Sequence, residues 1–222
     1  MINELIFIFH AAFMSCSALA ALWFGQAALV AFITLQCVLA NLFVIKQITL
    51  FGLTATTADA FTIGSVLGLN LLQEYYGRPS VRKAIWVSFT LMVFYAIASQ
   101  IQLIYLPNAF DTTQAHFVPI LSLMPRIVGA SFTVYLLVAH IDAWLFAHLQ
   151  RWFSGTRLAI RTFVSMAVCQ LIDTILFSFL GLYGIVDNIW QIILISYTIK
   201  IATAVVAMPF VGIAKKLVPT SD

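Results

Sequence analysis

Seven apolar stretches, each long enough to cross a bilayer, take up most of this chain and leave only short connections between them. About 20 apolar residues rising 1.5 Å each span a hydrocarbon core of roughly 30 Å. The stretches run approximately Leu5 to Phe24, Ala27 to Ile45, Thr57 to Gln73, Ala84 to Leu106, Ile120 to Phe146, Thr162 to Tyr183 and Ile189 to Ala214. Lipid offers no partner to a backbone N–H or C=O, and a helix satisfies both internally. The expected fold is therefore an all-α integral membrane protein of about seven transmembrane helices. Composition agrees, with 63% hydrophobic and 9% charged residues, against about 45–50% and about 25% in soluble domains.

The third stretch is the most interrupted, by Asp59, Thr62 and Asn70. The first resembles a signal peptide in length but lacks a basic n-region and starts with Asn3 and Glu4, so it reads as a span. Short loops, with no Pro/Gly/Ser-rich linker and no evident repeat, point to a single transmembrane domain over residues 1–222.

Cations orient the bundle. Of the eleven Lys and Arg, eight lie in three places: Arg78, Arg82 and Lys83; Arg151, Arg157 and Arg161; Lys215 and Lys216. In a seven-span chain these fall on one side, while the other side carries Lys46 and a long loop containing Asp111. The positive-inside rule then puts the N-terminus outside and the C-terminus in the cytoplasm, in the inner (cytoplasmic) membrane. The net charge of +3 bears on topology and gives no reason to expect nucleic acid.

Two charges lie near the midpoints of the last two spans, Asp173 in QLIDTILF and Lys200 in YTIK. A charge at that depth costs at least ~2.5–3.5 kcal/mol on insertion scales, so it marks a substrate path, a proton relay or a fixed ion pair. At 100° per residue other polar residues share faces with them. Gln170 accompanies Asp173, and Ser196, Tyr197 and Thr203 accompany Lys200. In the third span Asp59, Asn70 and Glu74 form one stripe. Such faces are expected to point into the bundle. Arg126 shares a face with Thr133, whereas Asp142 is turned away from it.

Several chemistries lack a sequence basis. Cys16, Cys37 and Cys169 each sit in an apolar stretch without CxxC or Cys/His spacing, as buried small hydrophobes would. His10, His140 and His148 lack metal-ligand spacing. No GxSxG, HExxH, paired catalytic aspartates or Walker A motif occurs, so neither an enzyme nor an ATP-driven pump is indicated, and no cofactor or metal is called for. A retinal protein would share the seven spans and a Lys in the last helix, but the carboxylate within the third span is Asp59, near its outer end. Trp23, Trp86, Trp144, Trp152 and Trp190 lie near span ends, as an aromatic belt does.

Residues NLLQEYYGRPSVRKAIW, from Asn70 to Trp86, carry an E-x-Y-G-R core followed by a basic pair. Together with Asn41, the RIVGASF run from Arg126, HIDAWLF with Asp142, QLIDTILF with Asp173 and YTIK with Lys200, this ordered set resembles the queuosine-precursor transporters, also grouped as vitamin-uptake transporters. The resemblance covers about residues 27–216. Members often carry an acidic residue where this chain has Asn70, and commonly six spans, so residues 1–26 read as an added N-terminal helix. The resemblance implies a six-helix core like the substrate-binding subunits of energy-coupling-factor vitamin transporters. It also implies import of 7-deazaguanine bases or queuine for transfer RNA modification. A carrier or membrane subunit for another vitamin-like heterocycle is the alternative.

A 7-deazaguanine presents a ring N–H beside an exocyclic amine, two donors that one carboxylate accepts together. Asp173 and Glu74 are the candidate acceptors; Asn41, Asn70, Gln170 and Lys200 are candidate donors to its carbonyl oxygen, with Arg126 a further transport candidate. Asp59, Asp142, Arg78 and Arg82 are candidates for structural or gating roles, and Asp173 with Lys200 for a structural ion pair. The bilayer is the constant partner, and a homodimer or a separate energising subunit the open one.

Overall fold

The computed structural model describes residues 2–152 and 158–217. Helices α1 (Ile2–Trp23) and α2 (Gln26–Phe43) are followed by a hairpin of β1 (Gln47–Leu50) and β2 (Leu53–Thr56). Next come α3 (Ala58–Ile104), α4 (Gln114–Leu121), α5 (Met124–Trp152), α6 (Leu158–Phe177) with a π-helical extension (Ser178–Leu182), and α7 (Ile189–Leu217). Six helical stretches among the described residues are long and apolar enough to cross a membrane.

One of the six, α3, is a helical hairpin. At Gly77 the backbone takes φ 77° and ψ 173°, a conformation open essentially to glycine alone. Pro79 follows in the first turn of the next limb, where its missing N–H has no helical partner to lose. Contacts with α2 show the reversal. Along α2, Ile33 meets Gly68 of the first limb, and a turn later Gln36 and Cys37 meet Gly64 and Ser65, so this limb runs against α2. Gln26, Thr34 and Asn41 meet Ser80, Ser88 and Met92 of the second limb in ascending order. The limbs, 58–76 and 78–104, are therefore antiparallel, matching the separate third and fourth stretches of the sequence.

Small residues allow this packing. A Cβ on Gly68 would lie 2.8 Å from Ile33 Cγ1, and one on Gly64 would lie 3.2 Å from Met14 Cβ of α1. The GxxxG of α3 thus receives two helices of the same chain. Ala18 and Leu22 of α1 are buried with Leu29, Ile33, Leu71, Leu72, Ala84 and Ala214. The outer faces of α1 and of the second limb of α3 expose Ile6, Phe9, Phe13, Phe94 and Ile97, which suits contact with lipid.

Two features depart from the sequence expectation. The connection after the second span is a β-hairpin with Gln47 opposite Thr56 and Leu50 opposite Leu53. Its two turn residues, Phe51 (φ 52°) and Gly52 (φ 79°), both have positive φ, the signature of the tight turn whose twist matches the strands. The fifth stretch also does not begin as one helix at Ile120. That residue belongs to α4, and α5 starts at Met124 after a break at Ser122 and Leu123.

The hairpin organises one end of the bundle. Asn3 Nδ2 donates to Thr49 O (2.9 Å), Phe51 N to Glu4 Oε1 (3.0 Å), Thr54 N to Gln191 Oε1 (2.7 Å) and Asp187 N to Gln47 Oε1 (3.2 Å). The start of α1 and the α6–α7 connection therefore meet on what is here called the hairpin face. The 105–123 connection lies there too, with Gln100 donating to Leu121 O. In that connection the Thr113 hydroxyl, and then its backbone N–H, hold the Asp111 carboxyl below the usual carboxylate range. The opposite, basic face carries the Gly77 reversal with Arg78, Arg82 and Lys83, and the end of α7. Arg157 lies outside the described residues.

Candidate functional site

A cavity of about 320 Å³ opens among α2, α3, α5, α6 and α7 in the half of the bundle nearer the hairpin. Its position follows from the elements that reach it: the last turns of α2, the first turns of α3 and α7, the end of β2, and the end of α6 with its π-helical turn. The volume lies within the roughly 300–1,000 Å³ of small-molecule sites. Val44, Val134, Phe177, Leu182 and Ile192 form apolar walls, and Asp59, Asp173 and Lys200 are the charged lining residues.

Lys200 of α7 and Asp173 of α6 meet across this cavity. Nζ lies 2.5 Å from Asp173 Oδ2 and 3.1 Å from Thr174 Oγ1, and the side chains are 17% and 33% exposed. The pair is thus in contact with the cavity. Asp59, in the first turn of α3, is 4% exposed and accepts a hydrogen bond from Ser196 Oγ of α7 at 3.0 Å. Asn41, near the end of α2, is held from three sides: it donates to Cys37 O (2.8 Å) and Met92 Sδ (3.1 Å) and accepts from Ser131 Oγ of α5 (2.8 Å). Two carboxylates and one ammonium line the cavity, an excess of one acidic group.

Not all sequence candidates gather there. Asn41, Asp59, Asp173 and Lys200 do. Gln170 lies one turn from Asp173 toward the basic face, in a second cavity that also holds Asp142. Asp142 Oδ1 accepts from Ser165 Oγ (2.6 Å) and Cys169 Sγ (3.4 Å). Arg126 joins neither cavity. Its Nε and Nη2 donate to Leu180 O (3.0 Å) and Tyr183 O (2.7 Å), closing carbonyls at the C-terminal end of α6 and its extension, where a cation is favoured.

The polar stripe of α3 is divided. Asp59 turns inward to α7, but Asn70 is exposed with its amide bonded to Val66 O, and Glu74 is also exposed. Arg78 and Arg82 line a shallow groove with Pro79, Lys83 and Trp86 on the basic face. The structure adds small hydroxyl residues that the sequence did not single out as site candidates: Thr62, Ser65, Ser131, Thr174 and Ser178 line the cavity, as does Cys37, whose thiol lies 3.7 Å from Ser65 Oγ. Their signal was spacing alone, Thr62 and Ser65 at i+3 and i+6 from Asp59, and Thr174 and Ser178 beside and one turn beyond Asp173.

An interior cavity with paired charges, enclosed by apolar helices, is the arrangement of a protein that passes a polar solute through lipid. Comparison with known proteins gives the same class. A curated protein of Bacillus subtilis (strain 168), named "Probable queuosine precursor transporter", is 32% identical over 204 residues, covering 90% of this chain and 88% of the relative. No solved structure matches the chain. Residues 56–214, which include every helix lining the cavity except α2, match the family model described as "Putative vitamin uptake transporter". The chain belongs to the vitamin uptake transporter family.

Proposed function

We propose that this protein imports queuosine precursors of the 7-deazaguanine type, taking them up in the central cavity from the hairpin face. The observation that carries the reading is the excess of acidic over basic groups on a cavity of base-binding size, in a chain similar to a protein named for queuosine precursors. The base offers a ring N–H and an exocyclic amine side by side, and a carboxylate accepts both. Asp173 and Asp59 are the acceptors within reach of the cavity. Lys200, with two of its three N–H groups on Asp173 and Thr174, is the donor for the carbonyl oxygen, Asn41 is held in the lining by its bonds to Cys37, Met92 and Ser131, and the Val134, Phe177 and Leu182 walls receive the flat ring.

The hairpin face is outside and the basic face cytoplasmic, because the loop cations concentrate on the latter. With the reversal at Gly77 the chain crosses seven times, with the N-terminus outside. Helix α1 contributes no residue to the cavity lining, so residues 1–26 are an added element beside a six-helix transport core.

Uptake of each labelled base, by inner-membrane expression in cells lacking their own carrier, tests this. Saturable uptake of a 7-deazaguanine, competed by related bases but not by unrelated vitamins, is expected. Transport of an unrelated vitamin instead would overturn the substrate. A protonophore in a parallel arm distinguishes proton coupling from facilitated passage.

A further inference from the structure

Asp173 belongs to two cavities. One is the central cavity already described; the other, of about 500 Å³, lies between α5 and α6 on its basic-face side. Helix α5 runs from the hairpin face to the basic face and α6 runs back. Ser131, which lines the central cavity, and Asp142, which lines the other, stand eleven residues apart and so on nearly one face of α5, while on α6 Asp173 lines both cavities. Among the described residues, those that line the inner cavity belong to α5 and α6. It is a pocket open along the two helices, with Asp142 exposed on its lining, and Asp173, held by Lys200, lines both it and the central cavity.

The α5–α6 pocket repeats the chemistry of the central cavity. Asp142 supplies a carboxylate whose Oδ1 is oriented by Ser165 and Cys169, while its Oδ2 makes no hydrogen bond among the described residues. Gln170 supplies an amide N–H and Tyr135 a flat wall. We propose that this inner pocket is a second binding station for the imported base. Asp173 first accepts the base's paired donors in the central cavity, and Asp142 takes them over once the Asp173–Lys200 contact has parted. The station sits on the cytoplasmic side of the ion pair, so the pair is a partition between two sites rather than the floor of one. This inference rests on the base-import reading above.

The native cysteines report on each place separately. Cys37 lines the central cavity, Cys169 lines the inner one, and Cys16 of α1 is exposed and lines neither. Purified full-length protein would be treated with N-ethylmaleimide, with and without 7-cyano-7-deazaguanine, and modification of each cysteine followed by peptide mass spectrometry. The base should slow Cys37 and Cys169 alike, roughly tenfold at a concentration about ten times the half-saturating one, and leave Cys16 unchanged. In Asp142→Asn, which keeps the side-chain shape, protection of Cys169 should vanish and protection of Cys37 persist, with uptake lost. Protection of Cys37 alone in the wild type overturns the inner station and leaves the import reading standing. Protection of neither site, in protein that does not transport the base, removes the import reading and this inference with it. Should Cys169 prove unreactive without base, uptake decides. Asp142→Asn importing at the wild-type rate overturns the proposal, and loss of uptake with Cys37 still protected supports it.

Discussion

Lys200 Nζ lies 2.5 Å from Asp173 Oδ2 on the wall of the central cavity, so the one intramembrane ammonium that lines it is committed to a helix–helix contact at the place where a solute would pass. Breaking that contact from either side leaves a charge without its partner in a low-dielectric interior.

Asp173→Asn and Lys200→Met are each expected to abolish uptake and to lower stability, by less than the about 3–5 kcal/mol of a fully buried pair because the side chains are 17% and 33% exposed. The double variant separates the roles. It should recover folding, measured by thermal melting in detergent, without recovering transport. Normal uptake in the double variant would show the pair to be structural only.

Asp59→Asn keeps an acceptor for Ser196 but removes the second carboxylate of the cavity. A lost charge-assisted hydrogen bond is worth about 1.5–3 kcal/mol, so the KM for uptake should rise about 10- to 100-fold. An unchanged KM would take Asp59 out of the binding set and assign it to the α3–α7 contact.

Gly77→Ala should destabilise the protein by about 1–3 kcal/mol, because a Cβ is strained at φ 77° and ψ 173° whatever the surrounding space. Melting temperature is the readout. A variant as stable as the wild type would mean that the limbs of α3 reverse in some other way.

Deleting residues 1–25 should leave base uptake in place and reduce stability. In lipid the loss is one of packing and hydrogen bonds rather than of apolar burial as such. It comprises Met14, Ala18 and Leu22 against the bundle, and the bonds of Asn3 and Glu4 to the hairpin. Failure of a folded, correctly oriented truncation to transport would place α1 on the substrate path.

A C-terminal alkaline phosphatase fusion should be inactive and a C-terminal fluorescent-protein fusion bright, as the distribution of cations requires. An active phosphatase would overturn both the orientation and the number of crossings.

The spans were legible because lipid imposes a length and an apolar composition that leave few alternatives. The hairpin was not, although QITL and LTAT flank an FG turn, because eight strand residues between two long apolar runs give little periodicity to read. Asp173 and Lys200 stood out by depth, and the structure brings them together. Asn70 shares a helix face with Asp59, yet periodicity does not say where along that face the neighbouring helices stop, and Asn70 lies where the face is exposed. Arg126 bonds to main-chain carbonyls, which leave no mark in a sequence. The cavity hydroxyls were hidden for a related reason. Thr62 and Thr174 also bond to carbonyls one turn back in their own helices, which any membrane-helix threonine can do, so their presence alone does not announce a site.

The hairpin acts as a cross-tie over the mouth of the bundle. Its strands are bonded on one side to the first turn of α1 and on the other to Gln191, nine residues before Lys200 on the same helix. A tilt of α7 that draws Lys200 away from Asp173 therefore pulls on Thr54 and, through the strand pair, on α1. Each such hydrogen bond contributes only about 0.5–1.5 kcal/mol net, small enough to give way within a transport cycle and large enough to set how often it does. In the import cycle proposed above, the rate of passage through the membrane interior would then be set in part by a short strand pair at its edge, of which Thr56 lines the cavity.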